Sequence, residues 1–229
     1  MNDEINVVFT VPYLDLPITN AIIMSWITMA IIILFAFLAT RKMTDVPGKL
    51  QNIAEIFVEF IYSFFEGFMG KATKTYAPYI GTVGLFLVIA NTIGALFMSD
   101  LTKGLIAPPA RSLGIAAALA LMTITIAIVS GLRAKGIKGF IKKLFKPVAF
   151  MFPFNVLEFI TKPLSLGMRL YGNILGAFIL MELLISNFPW AVPSVVSLYF
   201  DLFDGGLQAF VFIFLTAIYI SEEIKEEEE

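Results

Sequence analysis

Long apolar runs alternate along the chain with short polar or charged breaks. Residues 18–40 carry no charge and close on Arg41-Lys42, and residues 79–98 and 113–132 are two more runs of similar length. A helix needs roughly 20 predominantly apolar residues to cross a bilayer, so each run predicts a spanning helix. Two longer apolar segments follow, 148–188 and 195–221, with Pro189, Trp190 and Pro193 marking an interfacial turn between them. The first is about 40 residues, or ~60 Å if helical throughout, against a hydrocarbon core of ~30 Å. It must be strongly tilted, kinked or partly outside the bilayer, and Pro153 and Pro163 are the candidate bends.

Residues 47–70 follow another pattern. Leu50, Ile53, Phe57, Phe60, Phe64 and Phe68 recur at three- and four-residue steps, while Glu55, Glu59, Tyr62 and Glu66 fall largely on the opposite face. This spacing, with Pro47 near the first turn, predicts an amphipathic helix on the membrane surface or against neighbouring helices. In the second span the Asn91-Thr92 pair lies deep in apolar sequence, which points to burial against other helices. Ser99 to Pro109 reads as an external loop.

Composition agrees with the pattern. The chain is 59% hydrophobic with mean hydropathy +0.87, well above the roughly 45–50% apolar content of soluble domains. The expected fold is therefore a single all-α integral membrane domain with five spanning helices plus the amphipathic helix. Cysteine and histidine are absent, which excludes disulfides, thiolate or imidazole metal ligands and histidine-based triads. The first seventeen residues lack the basic region and cleavage site of a signal peptide, so trimming is not expected.

Charge orients the spans. Arg133, Lys135, Lys138, Lys142, Lys143 and Lys146 form a basic stretch without acids, read as a cytoplasmic loop rather than a nucleic-acid site. With Arg41-Lys42 on the same side, the acidic start (Asp3, Glu4, Asp15) is non-cytoplasmic. The tail 222–229 is then a solvated acidic cytoplasmic end.

Charge inside a span carries function by default. Arg169 sits at the centre of an apolar run, where insertion costs at least ~2.5–3.5 kcal/mol. Ser165, Gly172, Asn173 and Gly176 fall around it at helical positions, forming a small, polar stripe suited to a closely packed, negatively charged partner. Asp201, Asp204 and Gln208 line one face of the last segment. If the last two helices are antiparallel neighbours, that face opposes Arg169, Asn173 and Glu182, with Glu158 on the cytoplasmic side. Acids accept and release protons or bind cations, whereas an arginine stays charged and repels a crossing cation. Pairing of Glu158 with Lys162, four residues on, is the plain structural alternative.

The run from Leu157 to Asn173 (LEFITKPLSLGMRLYGN) resembles the signature of the ATP synthase A chain family, subunit a of rotary F-type ATP synthases. Asn91-Thr92-Ile93-Gly94 and Gln208-Ala209-Phe210-Val211-Phe212 match more weakly. The resemblance implies a stator subunit with two offset half-channels that pass H⁺ or Na⁺ to the carboxylates of a rotor c ring. Arg169 would help each arriving carboxylate lose its ion and block leakage between the channels. Asn173 and Gln208 would match the family's asparagine and glutamine near this arginine. Glu182, Asp201, Asp204, Glu158, Asn91 and Ser165 are the other candidate ion-path residues. Implied partners are the c ring, the b subunits of the peripheral stalk, the rest of the synthase and lipid, in a bacterial plasma membrane. The ion-binding carboxylate would lie on the rotor, so no cofactor or metal is expected here. The family often has a glutamate nine residues after the arginine, where this chain has Phe178. Where some members have histidine seven residues before the glutamine, it has Asp201.

Two other classes stay open at this point. A secondary transporter or channel would use Arg169 to clamp an anionic substrate, and would predict broken helices or an internal repeat. A purely structural membrane subunit leaves Arg169 unexplained. On topology, single cysteines replacing Lys138 and Glu227 should be labelled from one face of the membrane and one replacing Asn2 from the other. Labelling of Lys138 and Glu227 from opposite faces would refute the orientation.

Overall fold

The computed structural model describes residues 7–11, 16–41, 43–96, 109, 112–145, 150, 152–188, 196, 199 and 203–224. Among the described residues the fold is all-α apart from one hairpin, in which β1 (Val7–Val11) pairs antiparallel with β2 (Leu16–Thr19). The hydrophobic pattern did not foresee this pairing, because the short segment has no clean alternation of apolar and polar residues.

Among the described residues six α-helices follow: α1 (Asn20–Thr40), α2 (Lys49–Met69), α3 (Thr73–Leu96), α4 (Leu113–Leu144), α5 (Phe152–Asn187) and α6 (Gly205–Ile224). Five helical stretches among the described residues are long and apolar enough to cross a membrane, with α2 and α3 counted as one stretch. The protein is a multi-pass membrane protein. At 36 residues, α5 is ~54 Å long by helical rise, far more than a hydrocarbon core needs. It runs unbroken through Pro163, whose missing N–H removes one rung of the helix ladder.

The amphipathic α2 folds back along α3. Gly70, at φ 54°, supplies the left-handed turn between them. The vacant Cβ position of Gly81 then faces Ile61 and Phe57 at 3.7 Å, and the Thr73 hydroxyl donates to the Phe65 carbonyl. Phe64 stacks edge-on against Phe210 at 5.3 Å, and Phe68 against Phe214 at the same distance. The face of α2 that packs into the bundle carries Gln51, Ile61, Phe65 and Met69, whereas of the apolar row expected from the sequence only Phe57 and Phe64 are partly buried and Phe68 is 40% exposed. Leu50, Ile53, Ile56 and Phe60 stay exposed.

Helices α3, α4, α5 and α6 share one core built around Ile80, Leu87, Ala116, Ala120, Leu166, Leu170, Phe212 and Ile220. Small residues let the backbones approach, as expected where lipid is as apolar as the helices themselves. A Cβ on Gly205 would meet the Asn91 side chain at 3.1 Å, and one on Gly84 would meet Ile213 at the same distance. By contrast α1 is mostly outward-facing, with Ile33 68% and Phe37 59% exposed.

Two expectations at the basic end need correction. The basic stretch is not a loop, since α4 continues helically to Leu144 past a break at Gly136. Nor is the acidic tail solvated from its first residues. Glu223 is only 4% exposed and its carboxylate pairs with Lys143 at 3.0 Å, while Glu222 pairs with Lys162 at 2.9 Å. Opposite charges distant in sequence neutralise each other there, so neither segment behaves as free charged chain. Residues 225–229 and the external loop 99–108 lie outside the described residues.

Candidate functional site

The two faces of α5 differ sharply. Pro163, Leu166, Gly167 and Leu170 are buried, and the Cβ position of Gly167 meets Ala120 of α4 at 3.4 Å. The other face is open. Ser165, Arg169, Gly172 and Gly176 are exposed, and a Cβ on either of those glycines would meet nothing within 4 Å. Leu164 (61% exposed) and Met168 (53%) border this stripe with apolar surface. Among the described residues Arg169 makes no ion pair or hydrogen bond. The sequence led us to expect a close-packed acidic partner for it; the described part of this chain supplies none.

The antiparallel pairing of α5 with α6 is fixed at both ends. Toward the basic end, Lys162 bridges Glu158 at 3.0 Å and Glu222 at 2.9 Å, and its ammonium lies 5.5 Å from the centre of the Tyr219 ring. Glu158 thus takes the structural pairing its spacing allowed. Toward the other end, Asn173 Nδ2 donates to Asp204 Oδ2 at 2.7 Å. Arg169 lies one helical turn before Asn173, and Gln208 one turn after Asp204. In antiparallel helices both steps run the same way, so Arg169 and the buried Gln208 stand at similar depth.

A third helix joins at the start of α6. Asn91 of α3, 5% exposed, donates through Nδ2 to the Gly205 carbonyl at 3.0 Å. Its Oδ1 is buried with no donor among the described residues. The Asn91–Gly205 and Asn173–Asp204 contacts thereby meet at adjacent residues of the chain and tie α3 and α5 to the start of α6. The remaining candidates stand apart: Glu182 is exposed and without a hydrogen bond or ion pair among the described residues, and Phe178 is half-buried. Asp201 lies outside the described residues. Sequence reasoning missed the Lys143–Glu223 and Lys162–Glu222 pairs. The signal was present as a basic cluster and an acidic one at helix ends on the same side of the membrane.

These features define a polytopic membrane protein whose polar groups gather between its last two helices, with a permanent cation on an open face. Comparison with known proteins agrees. A profile of the ATP synthase A chain family matches residues 22–221. ATP synthase subunit a of Moorella thermoacetica (strain ATCC 39073 / JCM 9320) is 35% identical over 206 residues, spanning 90% of this chain and 91% of that protein. The chain belongs to the ATP synthase A chain family. It is a membrane-sector subunit that works in a complex with other ATP synthase subunits, and ion transport and ATP synthesis follow from the family.

Proposed function

We propose that this chain is the stator ion channel of an F-type ATP synthase, passing H⁺ or Na⁺ to and from the carboxylates of a rotor c ring through two offset half-channels. One observation carries the reading: among the described residues Arg169 has no ion pair or hydrogen bond, and it lies on an open, small-residue face of a membrane-length helix. A guanidinium at bilayer depth demands a counter-charge or a water cavity. A moving carboxylate on another chain supplies the counter-charge, and Gly172 and Gly176 leave room for its helix to come close. Each arriving carboxylate sheds its ion opposite Arg169, and the same charge bars an ion from leaking directly between the half-channels. The b subunits of the peripheral stalk hold the stator against the ring's torque. The protein sits in a bacterial plasma membrane with its N-terminus outside and C-terminus in the cytoplasm.

The polar track from Asn91 to Asn173, with Gln208, Asp201 and Glu182, is the route to the ring from the external side. Glu158 and Ser165 lie on the cytoplasmic side of Asn173. The Asn91 Oδ1 supports the track, because a buried acceptor with no donor among the described residues suits water or an ion's hydration shell. Arg169→Ala should abolish ion-driven ATP synthesis while the chain still inserts, and Arg169→Lys should rescue poorly because an ammonium lacks the guanidinium's planar fork. Near-normal synthesis in Arg169→Ala membranes would overturn the mechanism.

Glu182, one turn beyond Phe178, takes over the carboxylate that the family often carries at the Phe178 position, with Asp201 across the helix pair. Glu182→Gln should slow ion transport strongly, and adding Phe178→Glu should restore part of it. Asp201→Asn should slow transport in the same assay. Wild-type pumping by Glu182→Gln membranes would show that the acid is not relocated there.

A further inference from the structure

At Gly136 the backbone of α4 leaves the helical region (φ 69°, ψ 168°) and then resumes as helix to Leu144. The resumed stretch is held to the bundle on one side. Phe140 is buried with its ring 5.9 Å from that of Phe159, Lys143 reaches Glu223, and the Leu144 carbonyl accepts from Asn155 Nδ2 at 2.8 Å. The other side is bare. Ile137 (70% exposed), Ile141 (49%) and Phe145 (45%) follow at four-residue steps, and exposed Lys138 and Lys142 form the adjoining row. Neither lysine has an ion pair or hydrogen bond among the described residues. Phe145 stacks on Phe152 at 4.6 Å, and Phe150 and Phe154 extend the aromatic surface at the start of α5.

An apolar row flanked by lysines at the end of a spanning helix is the geometry of an interfacial segment. The apolar side chains enter the boundary between acyl chains and headgroups, and the lysine stems reach along them to the phosphates. Aromatic rings at the same level favour that boundary too. The exposed side of this segment carries no acid, so its charge complement is anionic. We propose that the α4 segment after Gly136 is a membrane-interface anchor, and that Lys138 and Lys142 together bind the headgroup of an anionic phospholipid in the adjacent leaflet. The site lies on the α4–α5 side of the basic end and is independent of the ion path. Through Phe140 and Asn155 it would fix the height of the start of α5 relative to the bilayer, and through Lys143 that of the end of α6.

The native chain has no cysteine, so a single label is unambiguous. Full-length chain carrying Ile141→Cys, labelled with bimane, is reconstituted in phosphatidylcholine vesicles containing either brominated phosphatidylglycerol or brominated phosphatidylcholine. Ile33→Cys on α1, labelled in the same way, reports ordinary lipid contact. Bromine should quench the label at Ile141→Cys, with a preference for the anionic lipid of up to roughly thirtyfold, about fivefold for each of the two lysines. That preference should vanish in Lys138→Gln/Lys142→Gln while quenching persists, and the label at Ile33→Cys should show no preference. Three results would each overturn the proposal. They are equal quenching by the two lipids with both lysines present, a preference that survives their replacement, and no quenching at Ile141→Cys while the Ile33→Cys label is quenched.

Discussion

A guanidinium held at bilayer depth is the constraint on which the rest of this protein depends. Arginine is charged at any physiological pH, and placing one in a lipid-facing helix costs at least ~2.5–3.5 kcal/mol on insertion scales. A fold that keeps such a residue on an open face leaves part of its solvation to another molecule. The architecture serves that end. α5 buries Pro163, Leu166, Gly167 and Leu170 against its own bundle and turns Ser165, Arg169, Gly172 and Gly176 outward. The glycines keep the outward face shallow, which suits the close approach of a partner helix that the proposed mechanism calls for.

The position of that charge is set by polar ties at the two ends of the α5–α6 pair. Lys162 is gripped by Glu158 and Glu222 at one end, and Asn173 by Asp204 at the other. Asn91 adds a third helix through the Gly205 carbonyl, which the absence of a side chain on Gly205 brings within reach. In lipid these bonds matter less for their modest net energy than for register. A slip of one turn between α5 and α6 would unpair Lys162 from Glu222 and Asn173 from Asp204, the second of these part-buried, where a lost partner is harder to replace. Arg169 is thereby held at one depth while its outward side stays free.

Much of this was legible in the sequence because it is local. Span number, the face shared by Ser165, Arg169 and Gly172, and the i,i+4 pairing of Glu158 with Lys162 all follow from helical periodicity. What was not legible depends on contacts between distant segments. Six positive charges within residues 133–146 read as a loop, yet α4 is helical through Lys143, whose ammonium meets a glutamate 80 residues later in the chain. Glu223 read as solvated tail, yet it packs against Gly131, where a Cβ would meet its side chain at 3.2 Å. Local charge density predicts exposure only when no complementary cluster folds back upon it. The opposite limit appears at Arg169, where the sequence called for an acidic partner and none is found among this chain's described residues.

The central claim is that the open face of α5 receives the rotor. The most direct measurement is disulfide cross-linking in the assembled complex, pairing Ser165→Cys with single cysteines on the outward helix of the c subunits. Oxidation should link one c subunit to each chain and stop ion-driven synthesis, and reduction should restore it. Ile33→Cys on α1 should give no such product. A c-subunit adduct at Ile33→Cys with none at Ser165→Cys would contradict the account.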